Sequence, residues 1–243
     1  MESRDYPLRV AILDDDFYAL KWNTALIMRD PRTTVVVEVE TPTELLEQLR
    51  EEDRIHAVVV DVEYGEEFAP LGELLTSIKK LAPDAVIICA SQYGEDETVK
   101  IALEHDVQAF LIKSEVRMAI VSAIMKATIN GLVVSPGIAA ALEISSSLIG
   151  SEIHIFPEWS PNPRLTPQII KSFWLRVFFG MRASLAAEEL YLETATVERY
   201  INQAYKVLTD GWADESYLFD VDFATLSPED QAFVWFTLPP RKS

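Results

Sequence analysis

Four short apolar runs in the first half of the chain each end on a polar or charged side chain, and this pattern constrains the fold most. Residues 10–13 end on Asp14 and Asp15, 57–60 on Asp61, 85–90 on Ser91, and 109–112 on Lys113. Such runs are short for core helices and lack the alternation of a half-exposed strand. They read as strands buried on both faces, as in parallel sheets covered by helices. Helical patterns at 17–29, 41–51, 71–81, 95–105 and 115–130, with a β-branched strand at 35–39, complete five β/α units. The expected fold class is α/β, a doubly wound five-stranded parallel sheet of the flavodoxin-like type. Open sheets of this kind bind ligands at the carboxyl ends of their strands. Three acids, a hydroxyl and a lysine at that edge can hold a divalent cation and a phosphoryl group.

Charge and cysteine content narrow the partners. The net charge of -18 argues against a protein that coats nucleic acid non-specifically, because phosphates repel an acidic surface. A small basic reading head remains compatible with it. The one cysteine, Cys89, excludes an internal disulfide and a multi-cysteine zinc site, and its mid-strand position reads as a buried small hydrophobe. With no apolar signal region at the start and no run approaching roughly 18–20 apolar residues, the expectation is a cytoplasmic protein without a membrane partner.

After residue 130 the periodicity breaks. Ser145–Ser147 and the prolines 157, 161 and 163 suggest a short continuation at 136–143 followed by a linker. Helical patterns return from Thr166 to about Phe179, then at 184–190 and 194–208, with Gly211 as a C-cap. Residues 164–209 carry four acids and six Lys or Arg, against a strongly acidic remainder. The tail from 212 is acidic but rich in aromatics, unlike a disordered acidic tail, so part of it is expected to pack. The expected domains are 1–130, a linker at 131–163, a helical domain at 164–211, and an extension at 212–243.

Residues 8–130 resemble the receiver domain of two-component response regulators. The markers are Asp14 and Asp15, Asp61, Ser91, Lys113, and Phe110 three residues before that lysine, together with the stretches 71–75 and 102–110. The resemblance implies Asp61 as the phosphorylated nucleophile. It implies Mg²⁺ held by the acidic pair, Asp61 and the backbone carbonyl of Glu63. Lys113 would pair with the phosphate, Ser91 would hydrogen-bond a phosphoryl oxygen, and Phe110 would turn inward as Ser91 moves. Asp16 makes a third consecutive acid, so spacing alone leaves open which two of the three ligate the metal. Ser114 stands where many receivers have proline, and the loop after Asp61 lacks the family's frequent proline.

Residues 165–209 resemble the helix-turn-helix domain of LuxR/NarL-type response regulators. Leu165-Thr-Pro167 opens the stretch, 186–190 reads as a scaffold helix, and 192–208 as a turn and recognition helix. Ala187, Leu190, Val197, Ile201 and Leu208 would be core. Thr196, Arg199, Asn202 and Lys206 would face DNA, the N-terminal half of the helix reading base edges and the lysine phosphates.

Together the resemblances imply a transcription regulator that dimerises, receives its phosphoryl group from a sensor histidine kinase and is not an enzyme beyond its own acyl-phosphate chemistry. The alternative is a receiver-controlled protein-interaction regulator with a degenerate, non-DNA-binding helix-turn-helix. The overall acidity, thin basic face and aromatic tail favour that alternative.

Overall fold

Strand β3 (Ala57–Asp61) is buried at every residue, as an apolar run covered on both faces must be. It pairs in parallel with β1 (Leu8–Leu13) on one side and β4 (Val86–Ser91) on the other. β2 (Thr33–Val39) adds outside β1, and β5 (Ala109–Ile112) outside β4, both parallel. The chain steps outward from β1 to β2 and then back across to β3. Connections on either side of the β1/β3 seam therefore run in opposite directions and leave a crevice at its carboxyl end. The computed structural model describes residues 7–65, 68–129, 131–143, 153–209 and 225–238. The chain divides into two units, Met1–Trp159 and Ser160–Ser243.

The sheet is larger than the five strands expected. Two further parallel strands, β6 (Leu132–Val134) and β7 (Ile153–Ile155), give the order β2-β1-β3-β4-β5-β6-β7. Both fall in the stretch expected to be a linker, so the α/β unit does not stop at residue 130. The reason is the outer edge of β5, whose unpaired N–H and C=O groups need partners. β6 supplies them, and the buried Ser135 hydroxyl accepts the Ile112 N–H at 2.9 Å. Helix α7 (Pro136–Glu143) follows, its Gly137 N–H donating to both Glu115 carboxylate oxygens at 3.1 Å. A Cβ at Gly137 would lie 2.6 Å from Ile112 Cδ1 and 2.8 Å from Glu115 Oε1, so a larger residue there would have to displace the ends of these two side chains. The serine run at 145–147 lies outside the described residues.

The helices start where local chemistry dictates. Asp16 caps α1 (Phe17–Arg29), accepting the Tyr18 and Ala19 N–H groups. Thr41 caps α2 (Pro42–Glu51), with proline in the first turn, where no donor is lost. α3 (Leu71–Leu81) and α4 (Asp96–Glu104) follow the expected spans closely. The helix expected at 115–130 is instead broken into α5 (Lys113–Val116), a 3-10 turn (Arg117–Ala119) and α6 (Ile120–Ala127). The break is at Arg117, whose φ of 44° is a strained conformation for a side chain with a Cβ.

The second unit is helical. α8 (Pro167–Phe173), capped by Thr166, runs into a π-helical turn (Trp174–Phe178). It ends at Gly180, whose φ of 63° lets the Met181 N–H reach the Leu175 carbonyl. α9 (Ala183–Leu190) stops at Tyr191, left-handed at φ 55°, and α10 (Thr194–Thr209) follows after a short turn. Ala187, Val197, Ile201 and Leu208 are buried as expected, whereas Leu190 is half-buried. Part of the acidic tail forms α11 (Pro228–Thr237), with Ser227 capping the Asp230 N–H. Its aromatics complete the core: Phe236 stacks on Phe173 at 4.8 Å, and Phe233, fully buried, lies 5.8 Å from Phe178. This tail segment is thus a structural element of the helical unit. The expected cap Gly211 and residues 212–224 lie outside the described residues.

One buried ion pair closes the turn between α1 and β2. Asp30 and Arg32 have fully buried side chains, and the guanidinium donates from Nε to Oδ1 at 2.9 Å and from Nη2 to Oδ2 at 2.8 Å. Removing one partner leaves an uncompensated charge away from water, which costs more than the pair itself contributes. Urea unfolding is expected to place Asp30→Ala about 3–5 kcal/mol below the wild type, while joint replacement of Asp30 and Arg32 by apolar residues of similar volume costs little.

Candidate functional site

The β1/β3 crevice brings together residues far apart in sequence. Asp14 directly follows β1 and Asp61 ends β3, and both are buried, at 2% and 3% exposure. Lys113, just past β5, reaches across the edge and donates from Nζ to Asp14 Oδ2 at 3.0 Å and to Asp61 Oδ2 at 2.7 Å. Burial pushes the Asp61 carboxyl up to about 7, and the neighbouring Asp14 charge adds to this. The Lys113 hydrogen bond and charge oppose it. Burial alone would lower Lys113, but the hydrogen bonds and charges of Asp61 and Asp14 outweigh it and hold the ammonium above its ordinary value. Asp15, exposed on the rim, is raised by partial burial and by the Asp14 charge.

The three consecutive acids divide their work by geometry. Carboxylate oxygens of Asp14, Asp15 and Asp61 all lie within 4.8 Å of one another. Asp16 is turned away from that group, with its Oδ1 on the Tyr18 and Ala19 N–H groups at 2.8 and 3.1 Å. Three carboxylates against one ammonium leave the crevice negative, and an all-oxygen donor set suits a hard cation such as Mg²⁺. A cavity of about 40 Å³ adjoins Asp61 and Lys113, walled in part by Asn23, Arg117 and Ile120. Asn23 and Arg117 were not singled out from sequence. The helix break at Arg117 brings that residue to the cavity wall, and no periodicity signals it.

The loop after β4 is organised by Glu63, two residues past Asp61. The Glu63 N–H donates to Asp61 Oδ1 at 3.2 Å. Its carboxylate accepts the Ser91 hydroxyl at 2.5 Å and the Gln92 N–H at 2.8 and 2.9 Å. Sequence reasoning assigned Glu63 a backbone role and gave its side chain none. Ser91 is buried at the expected edge, and Phe110 is fully buried within the sheet core, its ring already inward. A Cβ at Gly94 would lie 2.6 Å from Ile138 Cδ1, so α7 packs directly on this loop.

On α10, Arg199, Asn202 and Lys206 are exposed and Thr196 is half-buried. The four lie together on the side of the helix opposite Val197, Ile201, Ala204 and Leu208. The Arg199 guanidinium lies 5.5 Å from the centre of the Tyr200 ring. Glu193 and Glu198 are exposed on the same stretch. Among the described residues no helix is long and apolar enough to cross a membrane.

An α/β sheet with a carboxylate–lysine crevice, followed by a helix-turn-helix unit, is the class of protein these features define. No family model and no curated protein matches the sequence. Solved structures do match by shape. One is the two-component response regulator RcsB in complex with DNA, with a TM-score of 0.52 at 16% identity over 93% of this chain and 97% of that one. Another is RcsB from Salmonella enterica serovar Typhimurium, bound to promoter P1flhDC in the presence of the phosphomimetic BeF3⁻. Its TM-score is 0.52 at 19% identity, covering 83% of this chain and 91% of that one. A third contains two RcsB dimers bound to two parallel DNAs, with a TM-score of 0.50 at 18% identity over 81% and 89% of the two chains. At these identities the likeness establishes a shared fold.

The division of labour among the acids is open to measurement. Millimolar Mg²⁺ is expected to raise the thermal midpoint of the wild type and of Asp16→Ala by similar amounts, and to leave Asp61→Asn nearly unchanged. Asp16→Ala should separately lose about 1 kcal/mol from its missing helix cap. A Mg²⁺ response lost in Asp16→Ala would instead make Asp16 a ligand.

Proposed function

We propose that the chain is a two-component response regulator of the NarL/LuxR type, phosphorylated on Asp61 and acting on transcription through its helix-turn-helix unit. The observation that carries this reading is the Lys113 ammonium bonded to both buried carboxylates, Asp14 and Asp61, with Asp15 in ligand range. Mg²⁺ would be held by the carboxylates of Asp14, Asp15 and Asp61 and by the Glu63 backbone carbonyl. When bound, it supplies positive charge against those carboxylates and the transferring phosphoryl oxygens.

The chain's own residues do the rest. An Asp61 carboxylate oxygen attacks the phosphorus of a phosphohistidine on a sensor kinase, the P–N bond breaks, and an aspartyl phosphate forms. The attacking group must be ionised, and Lys113 favours that form against the cost of burial. The same ammonium then neutralises a phosphoryl oxygen as a compact point charge. Ser91 and Phe110 form the switch pair: the hydroxyl turns to the phosphoryl group beside a ring that already lies inward. No separate substrate is turned over, so the chain is a switch and not an enzyme.

Output through DNA is supported by the exposed face of α10. Arg199, Asn202 and Thr196 would meet base edges or phosphates and Lys206 a phosphate, in a dimer on a two-fold site. The RcsB structures of the same fold, described as DNA complexes and as dimers, support this output. The setting is a reducing cytoplasm with a histidine kinase as donor. The exposed Glu193 and Glu198 favour a second reading, in which the same face docks a protein.

Selection of sites from random duplex DNA, with beryllofluoride and Mg²⁺ present, separates the two. Enrichment of a two-fold site, absent with Asp61→Ala, is expected. Arg199→Ala should then cost about 1–3 kcal/mol on the selected site, and Lys206→Ala should flatten the dependence on salt. A folded protein that binds beryllofluoride yet enriches no site would overturn the DNA-binding reading and favour the protein-docking one.

A further inference from the structure

The Ser91 hydroxyl has no free valence. It accepts the Gly94 N–H at 2.8 Å and the Tyr93 N–H at 3.2 Å, and it donates to Glu63 Oε1 at 2.5 Å. A hydroxyl has two lone pairs and one hydrogen. All are in use, and the hydrogen is spent on a carboxylate. The Gln92 N–H is spent on the same carboxylate, at 2.9 Å to Oε1 and 2.8 Å to Oε2. The Tyr93 N–H also reaches Oε1, at 3.4 Å. Three donors converging on an anion make an anion receptor, and such charge-assisted bonds are the strong ones. The Glu63 backbone is tied to the nucleophile, its N–H lying 3.2 Å from Asp61 Oδ1. The receptor's occupant is therefore anchored beside the atom that would carry the phosphoryl group.

We propose that the Glu63 side chain is a built-in competitor for the phosphoryl group. It holds the Ser91 hydroxyl and the Gln92 N–H until a phosphoryl group on Asp61 displaces it. The proposal rests on the phosphoryl reading above and adds a role for a side chain that the reading leaves unused. Glu63 is a positioning residue here: it acts through Ser91 and the loop after β4, and its carboxylate takes no part in the transfer.

The test is calorimetric titration of beryllofluoride with Mg²⁺ into the full chain and its variants. Glu63→Ala is expected to bind about tenfold more tightly than the wild type, a change of about 1.4 kcal/mol. Glu63→Gln, which keeps the shape and an acceptor oxygen but not the charge, should gain less. In a Ser91→Ala background the gain from Glu63→Ala should shrink to about twofold or less, because the contested hydroxyl is gone. Without ligand, the Gln92 amide proton resonance should move upfield in Glu63→Ala as its carboxylate partner is lost. Unchanged or weaker binding by both Glu63 variants overturns the proposal. So does a gain that persists in full without Ser91, which would be simple charge repulsion. Failure of the wild type and every variant to bind beryllofluoride refutes the phosphoryl reading itself, and the proposal with it.

Discussion

Two buried carboxylates share one ammonium at the mouth of the sheet, and the rest of the first unit is arranged to make that possible. Asp14 and Asp61 are almost wholly shielded from water, an environment that favours neutral acids. Lys113 keeps ionisation within reach, and it can do so only if β1, β3 and β5 end at the same level. Parallel pairing in continuous register from β1 through β3 and β4 to β5 fixes that level. Burial raises the Asp61 carboxyl, and the Lys113 hydrogen bond and charge oppose that rise.

Around this centre the structure spends polar groups on holding loops. Asp16 is a helix cap, Glu115 ties α7 to the start of α5, and Glu63 organises the loop after β4. β6 seals β5, β7 pairs in turn with β6, and α7 rests on the same loop through Ile138 and Gly94. The loop that carries Ser91 is therefore packed against α7, the helix between β6 and β7. In the helical unit, aromatic side chains from α11 fill the core beside α8, leaving the polar face of α10 open among the described residues.

Much of this was legible in the chain because its signals are strong where burial is complete. Runs such as 57–60 have one reading in a protein of this kind, a strand covered on both faces, and their terminal residues locate the site. Thr41-Pro42 and Thr166-Pro167 marked helix starts because a capping oxygen followed by proline satisfies the first turn. Ser227-Pro228 carries the same signal for α11 and could have been read. β6 and β7 were missed because three-residue strands carry no periodicity; β6 adds to the open edge of β5 and β7 to that of β6. The break at Arg117 was hidden because a strained non-glycine backbone leaves no compositional trace. Asp16 was ambiguous for a different reason: three adjacent acids are equivalent in sequence, and only the direction of the chain after β1 sends one of them to the helix.

The proposed switch depends on Asp61 acting as a nucleophile toward phosphorus. Intact-mass measurement after incubation with Mg²⁺ and acetyl phosphate tests it directly. The account predicts one added phosphoryl group on the wild type, labile to hydroxylamine as an acyl phosphate is, and none on folded Asp61→Asn. A wild type that remains unmodified, or a modification retained by Asp61→Asn, would contradict it.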